Sequence, residues 1–460
     1  MMGGMTDVTG EVRSSWRQWT PPEDVRALGE KLRDEVPHEV NDHPAAAEDR
    51  PGVRDYISAS NAGRVEDLVA LRIGRMLVSP FSFLRGSAGL MAADLAKVPT
   101  SGLNAQICGD AHAANFGLYG GAAGRIVMDI NDFDETIVGP WEWDLKRLAA
   151  SLVLAGRDGG VSESDCLDAA QDSVRSYRRT LGDLAEQPFL ESWTALTDDS
   201  AIGRAKADAL LDDFEKASAK ARRNTSAKVA AKWTTKGDEG WRFVPDPPVL
   251  SEVDDKTADQ VIHSLDSYVD TLRESRTHLI ARYRVADVAF RVVGTGSVGL
   301  RNYLLLMHGN RDDELVLQIK EVRPSQLAAY LPAQAERHEG ERVVRGQRLM
   351  QADTDLLLGW TTVDGRPFIV RQFRNFKGDI DPTSLSGGHL DDYGRLAGAL
   401  LARAHLRSVD PRLLAGYCAG SDLDEIIGTY AVRYADQAEA DHAELERLVA
   451  AGVLPATTGV

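Results

Sequence analysis

Cysteine is scarce in this 460-residue chain. Its three cysteines, Cys108, Cys166 and Cys418, have no Cys-x-x-Cys spacing, which argues against a disulfide framework and against a zinc site. Long apolar runs are also missing, since no stretch approaches the ~18 residues of a membrane span and the first residues lack the apolar core of a signal peptide. We therefore expect a cytoplasmic protein without a membrane partner.

Positive charge is in deficit as well. Lys and Arg number 53 against 70 Asp and Glu, which gives a net charge of -17 at pH 7. A nucleic-acid backbone is therefore not an expected partner. A bound nucleotide is compatible with this charge, because a local basic group and magnesium can overcome a distant negative field. The sequence leaves the oligomeric state open.

The spacing of apolar residues divides the chain into five segments and predicts an α+β fold. Residues 1–60 are expected to form a partly disordered lead-in with one helix from Pro22 to about Glu35. Residues 61–160 mix helices with short strands and polar loops. Helical spacing dominates 161–285 and 381–460, whereas 286–380 reads as strands and turns.

Turn signals refine the prediction for residues 286–380. Gly309-Asn310 and Asp364-Gly365 each separate two apolar runs, so each predicts a hairpin. A helix is expected at roughly 333–351. Pro-rich residues 245–250 mark a boundary before the strands.

The first group of residues that suggests a nucleotide-binding function is a glycine-rich loop. Its members are Gly294, Thr295, Gly296, Ser297, Val298 and Gly299. Alone this glycine spacing is weak evidence for either fold, since dinucleotide-binding domains also carry it. In those domains, however, the third glycine opens a helix. Here an apolar run that ends at a Gly-Asn turn follows, so we predict a strand. A glycine-rich hairpin covers the ATP phosphates in protein kinases.

Lys320 follows in the strand-like run VLQIKEV. A lysine inside such a run is costly unless its ammonium has a partner, which the phosphates of ATP would supply. The alternative is an edge-strand lysine that reaches solvent. Glu341 on the next helix is the predicted partner of Lys320, unless it is an ordinary exposed glutamate. Gln372 and Phe373 are expected to lie where the backbone would meet adenine.

The second group lies upstream in CGDAHAANFG and NDFDE. Asp110 and Asn115 have the Asp-x4-Asn spacing of a kinase catalytic loop, in which the Asp accepts the proton of the acceptor hydroxyl. Asn115 and Asp132 are predicted ligands of Mg²⁺, with Asp134 as a further ligand, because oxygen ligands suit a hard cation. The alternative is a pair of acidic surface turns.

This second group resembles the aminoglycoside phosphotransferase branch of the kinase superfamily. That branch carries Gly-Asp-x-His-x-x-Asn, then Asp-Phe in a metal loop, then Gly-x-Pro and an Asp-Leu pair that opens a helix. The matching positions here are Gly109, Asp110, His112, Asn115, Asp132, Phe133, Gly139, Asp144 and Leu145, with Pro140 directly after the glycine. Residues 396–408 are similar to the helix that precedes the catalytic loop in that branch.

Over roughly residues 60–445 the chain is also similar to the bacterial domain-of-unknown-function 2252 family. The shared blocks are FSFLRG, CGDAHAANFG, DINDFDE, GPWEWDLKRLAAS, GTGSVG, LQIKEVRPS, GERVVRGQRLMQ and YADQAEADHAEL. That family brings no established activity, so the functional prediction rests on the kinase-like groups.

Two features depart from the kinase pattern. Cys108 stands where such loops usually have His. The glycine loop and Lys320 follow the catalytic loop by about 180 residues, whereas in kinases they precede it. A circular permutation explains this order, with the break after residues 396–408 and a new link within 240–285. Alternatively, the two groups belong to unrelated sites.

Taken together, the resemblance implies a two-lobed kinase-like fold with permuted segments. Residues 286–380 would be the small lobe, and 61–240 with 381–460 the large lobe. The implied function is Mg-ATP-dependent phosphoryl transfer to an unidentified hydroxyl acceptor, with a small molecule preferred. An adenylyl transferase, a nucleotide-binding pseudokinase and a metal-dependent hydrolase using Asp110, His112 and Asp132 are the alternatives.

Four further side chains have expected roles. Arg85 either meets a phosphate or bonds loop carbonyls. His112 is expected to hold the shape of the catalytic loop, and Asp144 to cap a helix and tie it to that loop. Trp141 and Trp143 are expected in the core.

Overall fold

The computed structural model describes residues 19–122, 124–196, 200–237, 240–292, 297–311, 313–334, 337–420 and 422–458. The helices are α1 (Pro22–Glu35), α2 (Val53–Asn61), α3 (Val69–Met76), α4 (Pro80–Arg85), α5 (Ala88–Leu95), α6 (Trp141–Asp158), α7 (Glu163–Ala185), α8 (Phe189–Thr194), α9 (Ser200–Ala205), α10 (Leu211–Ala221), α11 (Ser226–Trp233), α12 (Asp255–Asp270), α13 (Glu274–Ile280), α14 (Glu339–Met350), α15 (Gly388–His405), α16 (Pro411–Tyr417) and α17 (Asp422–Ala450). The strands are β1 (Asn104–Ile107), β2 (Phe116–Gly120), β3 (Ile126–Ile130), β4 (Ile137–Pro140), β5 (Thr234–Gly237), β6 (Gly240–Phe243), β7 (Leu250–Glu252), β8 (Arg284–Arg291), β9 (Asn302–His308), β10 (Glu314–Glu321), β11 (Gly359–Val363) and β12 (Arg366–Gln372).

An antiparallel sheet with the order β11-β12-β10-β9-β8-β7 organises the middle of the chain. Its central strand β9 is buried on both faces, because successive side chains alternate between two apolar cores. Leu305 and Met307 pack with residues of α12, and Leu304 and Leu306 pack with Ala230 of α11. This double burial explains why β9 reads as an uninterrupted apolar run.

Both predicted hairpins are present. Between β11 and β12, Asp364 and Gly365 have φ of 49° and 73°, the left-handed pair that a two-residue hairpin turn requires. Between β9 and β10, His308 pairs with Glu314, so that turn is longer than the Gly-Asn pair predicted for it.

The helical part is built around α6, α7, α15 and α17, which share the largest apolar core. The predicted core position of Trp141 is confirmed, since its ring stacks on Tyr177 with centroids 5.6 Å apart and an interplanar angle of 9°. Trp143 is also buried. Gly398 lets α15 approach α7 closely, because a Cβ there would lie 2.1 Å from the Ser173 carbonyl oxygen.

The mixed α+β character and the large helical part are confirmed, and α1 has the predicted bounds. The lead-in also contains α2. Helices dominate 161–285, but β5, β6 and β7 lie there as well, and β7 extends the main sheet, so the sheet begins before residue 286. Among the helices that the structure describes, none combines the length and the apolar character needed to cross a lipid bilayer.

Candidate active site

Two adjacent cavities with shared wall residues lie between the main sheet and the loops around β1 to β4. The outer chamber has a volume of about 790 Å³ and contains Asp110 and Asn115 in its wall. The inner cavity, of about 250 Å³, runs along the sheet beside Lys320. Residues that line both cavities are Asn131, Asp132, Ser297 and Lys377. The two predicted groups of functional residues therefore meet at one site.

Asp144 of α6 holds the start of the loop that follows β1. Its carboxylate accepts the N–H of Cys108 at 2.6 Å and the N–H of Gly109 at 2.8 Å, and His405 of α15 lies 3.3 Å away. Asp144 is inside the helix, whose N-cap residue is Pro140, so the predicted capping role is wrong. The predicted tie between the helix and the loop is present.

Gly109 is required by the path of this loop. Its φ is 77°, and a Cβ would lie 2.4 Å from the carbonyl oxygen of Glu135. Only glycine adopts that conformation and allows that approach without strain. The backbone thereby turns so that Asp110 faces the outer chamber.

Asp110 is paired with a residue that the sequence analysis did not identify. Arg147 of α6 donates from Nε to Asp110 Oδ1 at 2.5 Å and from a second guanidinium nitrogen to the Leu84 carbonyl at 2.7 Å. Burial raises the pKa of Asp110 to about 7, although Arg147 opposes this shift. Asp110 therefore titrates near neutral pH, which suits a proton acceptor.

His112 helps to shape the loop. Its N–H donates to the Asp110 carbonyl at 2.8 Å, and its own carbonyl accepts the Asn115 N–H at 2.8 Å. Burial, together with Arg85 and Arg147, holds the pKa of His112 well below its usual value, so the imidazole is neutral. Its Nδ1 is buried without a hydrogen-bond partner in the described part of the chain.

Asn115 connects the two loops of the site. Its side-chain amide nitrogen donates to the Asp110 carbonyl at 2.6 Å, which leaves Oδ1 as the side-chain acceptor. Its carbonyl accepts the N–H of Asn131 at 2.9 Å, immediately before Asp132. The amide is thus fixed beside the acidic loop.

Lys320 of β10 reaches that acidic loop. Its Nζ lies 2.6 Å from Asp134 Oδ2 and 3.5 Å from Asp132 Oδ1, although the lysine is 188 residues from Asp132 in sequence. Burial alone would raise the pKa of Asp132, but Lys320, Arg371 and Lys377 outweigh it and hold that pKa below its usual value. Burial and the neighbouring Asp132 raise the pKa of Asp134. Lys320 is therefore a buried lysine with two acidic partners rather than one that reaches solvent.

The predicted pairing of Lys320 with Glu341 is not present. The Glu341 carboxylate lies 3.7 Å from Arg345, one turn along α14. Two residues near the C-terminal end of α14 line the inner cavity with Lys320. They are Gln347 of the helix and Gln351, which directly follows it, and they are hydrogen-bonded to each other. The helix buries its apolar Val343 and Val344, whereas the Glu341 side chain is 31% exposed.

The glycine-rich segment joins β8 to β9, which pair as antiparallel neighbours, so the predicted hairpin is confirmed. Gly294, Thr295 and Gly296 lie outside the described residues. Ser297 donates from Oγ to Asp134 Oδ2 at 3.4 Å. Gly299 has φ of 86°, and its carbonyl accepts the Val65 N–H at 2.8 Å.

Gln372 and Phe373, the predicted base-binding residues, line the inner cavity with Lys320. Their N–H groups are already used: Gln372 donates to Asp355 at 3.0 Å and Phe373 to the Val316 carbonyl at 2.8 Å. The Phe373 ring lies 4.7 Å from the Arg291 guanidinium. The same ring stacks on Trp233 with centroids 5.8 Å apart, and Phe373 is buried. The backbone N–H groups at this predicted adenine contact are therefore occupied within the protein.

Arg371 is a further site residue that the sequence analysis missed. It donates to Gln318 Oε1 at 2.9 Å and lies 3.4 Å from the Asn131 carbonyl. It stands one position before Gln372 in the polar end of β12. The sequence signal that could have found Arg371 is its positive charge at the end of an apolar strand, as for Lys320 in β10.

The C-terminal end of α15 lies against β1. Gln106 N–H donates to Ser408 Oγ at 2.8 Å, across 302 residues of sequence. Nearby, Arg403 of α15 forms a buried ion pair with Asp129 of β3. The helix end and the strand that leads into the Asp110 loop are therefore neighbours in space.

Within the part of the chain that the structure describes, no three His, Cys, Asp or Glu side chains form a metal-binding group. The predicted set of Asn115, Asp132 and Asp134 has two carboxylates and one amide. Asp134 Oδ1 is buried and has no hydrogen-bond partner among the described residues. An orphaned carboxylate oxygen fits a hard cation.

The fold and the site define a mixed α+β protein with a polar, lysine-containing cleft between a sheet and a helical part. The model of a family described as "uncharacterized protein conserved in bacteria (DUF2252)" matches residues 64–448, and the chain belongs to this family. No curated protein and no solved structure matches the chain.

Proposed function

We propose that this protein is a Mg-ATP-dependent phosphotransferase with a kinase-like site in permuted order. The observation that carries the proposal is the contact of Lys320 with Asp132 and Asp134. Kinase-like phosphoryl transfer requires a strand lysine and a metal-binding aspartate at one phosphate site. In this chain the two come together from distant segments, beside a glycine-rich hairpin.

The neighbouring ends of α15 and β1 support the permuted order. The Gln106–Ser408 hydrogen bond lies where an unpermuted chain would continue from the helix into the catalytic loop. A break at this point and a new link elsewhere preserve every contact of the site, since permutation changes connectivity and not packing.

Asp132, Asp134 and the amide oxygen of Asn115 would hold Mg²⁺, whose charge neutralises phosphate oxygens when it is bound. The orphaned Oδ1 of Asp134 supports this assignment. Without nucleotide, Lys320 takes the cationic position beside both carboxylates. With nucleotide, the same ammonium would hold phosphate oxygens.

The inner cavity would receive the base against Phe373 and Gln372, and the phosphates would extend toward the outer chamber. In the transfer, the bond from the γ-phosphorus to the ADP oxygen breaks and a bond to the acceptor oxygen forms. The acceptor proton passes to Asp110. The pKa of about 7 that burial gives Asp110 suits it for this proton.

Product analysis tests the proposal. Purified protein is incubated with Mg-ATP and a pool of polar small molecules, and nucleotides and labelled products are followed by ³¹P NMR. We expect ADP and a new phosphate ester from the wild type, and neither from Asp132→Asn. Formation of AMP and pyrophosphate would show adenylyl transfer, and products without ATP consumption would favour the hydrolase.

The Asp110–Arg147 ion pair favours a second candidate, a nucleotide-binding protein without transferase activity. An arginine that holds the carboxylate at 2.5 Å competes with a substrate proton for it. Mg-ATP binding with no ADP formed across the whole acceptor pool, in Arg147→Met as well as in the wild type, would support this candidate.

A further inference from the structure

One set of arginines lines the outer chamber, and its described hydrogen-bond partners are neutral. Its members are Arg64, Arg72, Arg85 and Arg323. Arg64 donates to the carbonyls of Ser60 and Val298, Arg323 donates to the carbonyls of Ser60 and Ala62, and Arg72 donates to Ser60 Oγ, Asn61 Oδ1 and the Gly86 carbonyl. We call these four residues the arginine wall.

The acidic residue beside this wall does not pair with it by hydrogen bonds. Both carboxylate oxygens of Glu135 accept from Gln326, at 2.6 Å from its N–H and 2.8 Å from its side-chain amide. Burial, together with Arg72 and Arg323, lowers the pKa of Arg64 to about 9. The wall is thus a local concentration of positive charge in a protein of net charge -17.

Several donors of this chamber have no partner within the described ranges. Arg85 Nε and Arg72 Nε are buried and unpaired. His112 Nδ1, which donates or accepts according to the tautomer of the neutral ring, is also buried without a partner. Arg72 is fully buried, and the Arg85 guanidinium lies 5.9 Å from the Phe81 ring centroid. Buried polar groups in native proteins are nearly always satisfied, so unpaired groups on side chains that line a cavity favour a polar ligand in that cavity.

The wall and Asp110 belong to one chamber. Arg147, which holds Asp110, also donates to the carbonyl of Leu84, the residue before Arg85. A ligand that spans the chamber can therefore contact both. Planar guanidinium groups match the geometry of phosphate and carboxylate oxygens.

We propose that the acceptor carries an anionic group, a phosphate ester or a carboxylate, which the arginine wall binds while a hydroxyl of the same molecule faces Asp110. This inference rests on the proposed phosphotransferase function and names its substrate class.

Titration calorimetry with inorganic phosphate on the full chain tests the inference. We expect phosphate to bind in the presence of saturating Mg²⁺ and a non-hydrolysable ATP analogue. Arg85→Gln should weaken phosphate binding roughly ten- to hundredfold, because one charge-assisted contact is lost. Arg85→Lys should weaken it less, because the lysine keeps the positive charge. Arg282→Gln, at an exposed position, is the matched control and should bind as the wild type does. The same titration with acetate in place of phosphate shows whether the site prefers a carboxylate or a phosphate group.

Three outcomes would overturn the inference while the proposed function stands. In the first, the ATP analogue displaces phosphate. In the second, Lys320→Met loses phosphate binding while Arg85→Gln keeps it. In the third, the wild type binds the analogue but does not bind phosphate. If the protein binds phosphate through Arg85 but does not bind the analogue, the proposed function is overturned and the anion site is still supported. The ligand-free thermal midpoint of Arg85→Gln verifies its folding, and it should match the control because Arg85 has no described hydrogen bond to lose.

Discussion

Replacing Lys320 with methionine tests the contact on which the site depends. Methionine keeps the length of the side chain but removes the ammonium between Asp132 and Asp134. The lysine side chain is 4% exposed, and those of Asp132 and Asp134 are 40% and 22% exposed. The change therefore leaves two carboxylates side by side with no cation between them.

The expected cost follows from the burial of this group. Removing one partner of a fully buried ion pair costs about 3–5 kcal/mol. Because water reaches Asp132 and part of Asp134, we expect a smaller loss of about 2–3 kcal/mol. An unfolding entropy of ~2.1 cal/mol/K per residue implies about 1 °C per kcal/mol for 460 residues, so the thermal midpoint should fall by about 2–3 °C.

The loss should depend on pH. Burial and Asp132 already raise the pKa of Asp134 in the folded protein, and removing Lys320 raises it further. A raised acidic pKa means that the folded state binds more protons than the unfolded state, so stability falls as pH rises through the interval between the two values. The deficit of Lys320→Met should therefore be small near pH 4 and should grow toward neutral pH.

Thermal unfolding of the wild type and Lys320→Met from pH 4 to 8 measures this deficit. Lys256→Met, at an exposed position in α12, is the control for the loss of a lysine. Adding Asp134→Asn to Lys320→Met should restore part of the stability, because the uncompensated charge is gone. If Lys320→Met matches Lys256→Met at every pH, the ammonium does not hold the two carboxylates together.

Three further predictions follow from the same loops. Asp110→Asn should reduce turnover of ATP by about 10²–10⁴-fold and leave nucleotide affinity unchanged by calorimetry, because Asp110 acts on the acceptor; full turnover would contradict its role. The wild-type rate should fall as pH decreases through about 7, where Asp110 takes up a proton, and a rate independent of pH between 5.5 and 8.5 would contradict the assignment of Asp110 as the base. Asp144→Asn should lower the free energy of unfolding by about 2–3 kcal/mol in denaturant, because an amide cannot accept from both Cys108 and Gly109 as the carboxylate does. A loss below about 0.5 kcal/mol would refute the role of Asp144 in holding the loop.

Local patterns predicted the elements that carry the site. The strand after Gly299 was readable because its apolar run ends at a turn, and the Asp364-Gly365 turn was readable because both residues tolerate positive φ. Helix α1 begins at Pro22, a residue type favoured in the first turn of a helix. Short-range chemistry decides such features.

Tertiary packing decided the features that were wrong or missed. The position of Glu341 along the chain favoured it as the partner of Lys320, but the rotation of α14 is set by Val343 and Val344, which pack inward. Arg147 was missed although it lies one turn from Asp144 in a largely apolar helix. Two buried charges on one face of such a helix are a signal that could have found it.

The proposed function requires that the glycine hairpin, Lys320 and the acidic loop form one Mg-ATP site. The thermal midpoints of the wild type and Asp132→Asn, each with Mg-ATP, with Mg²⁺ alone and without ligand, test it most directly. A ligand at 100 times its Kd stabilises by ~2.7 kcal/mol, or about 3 °C for this chain. We expect that shift with Mg-ATP in the wild type and none in Asp132→Asn. Equal shifts in both proteins, or the full shift with Mg²⁺ alone, would contradict it.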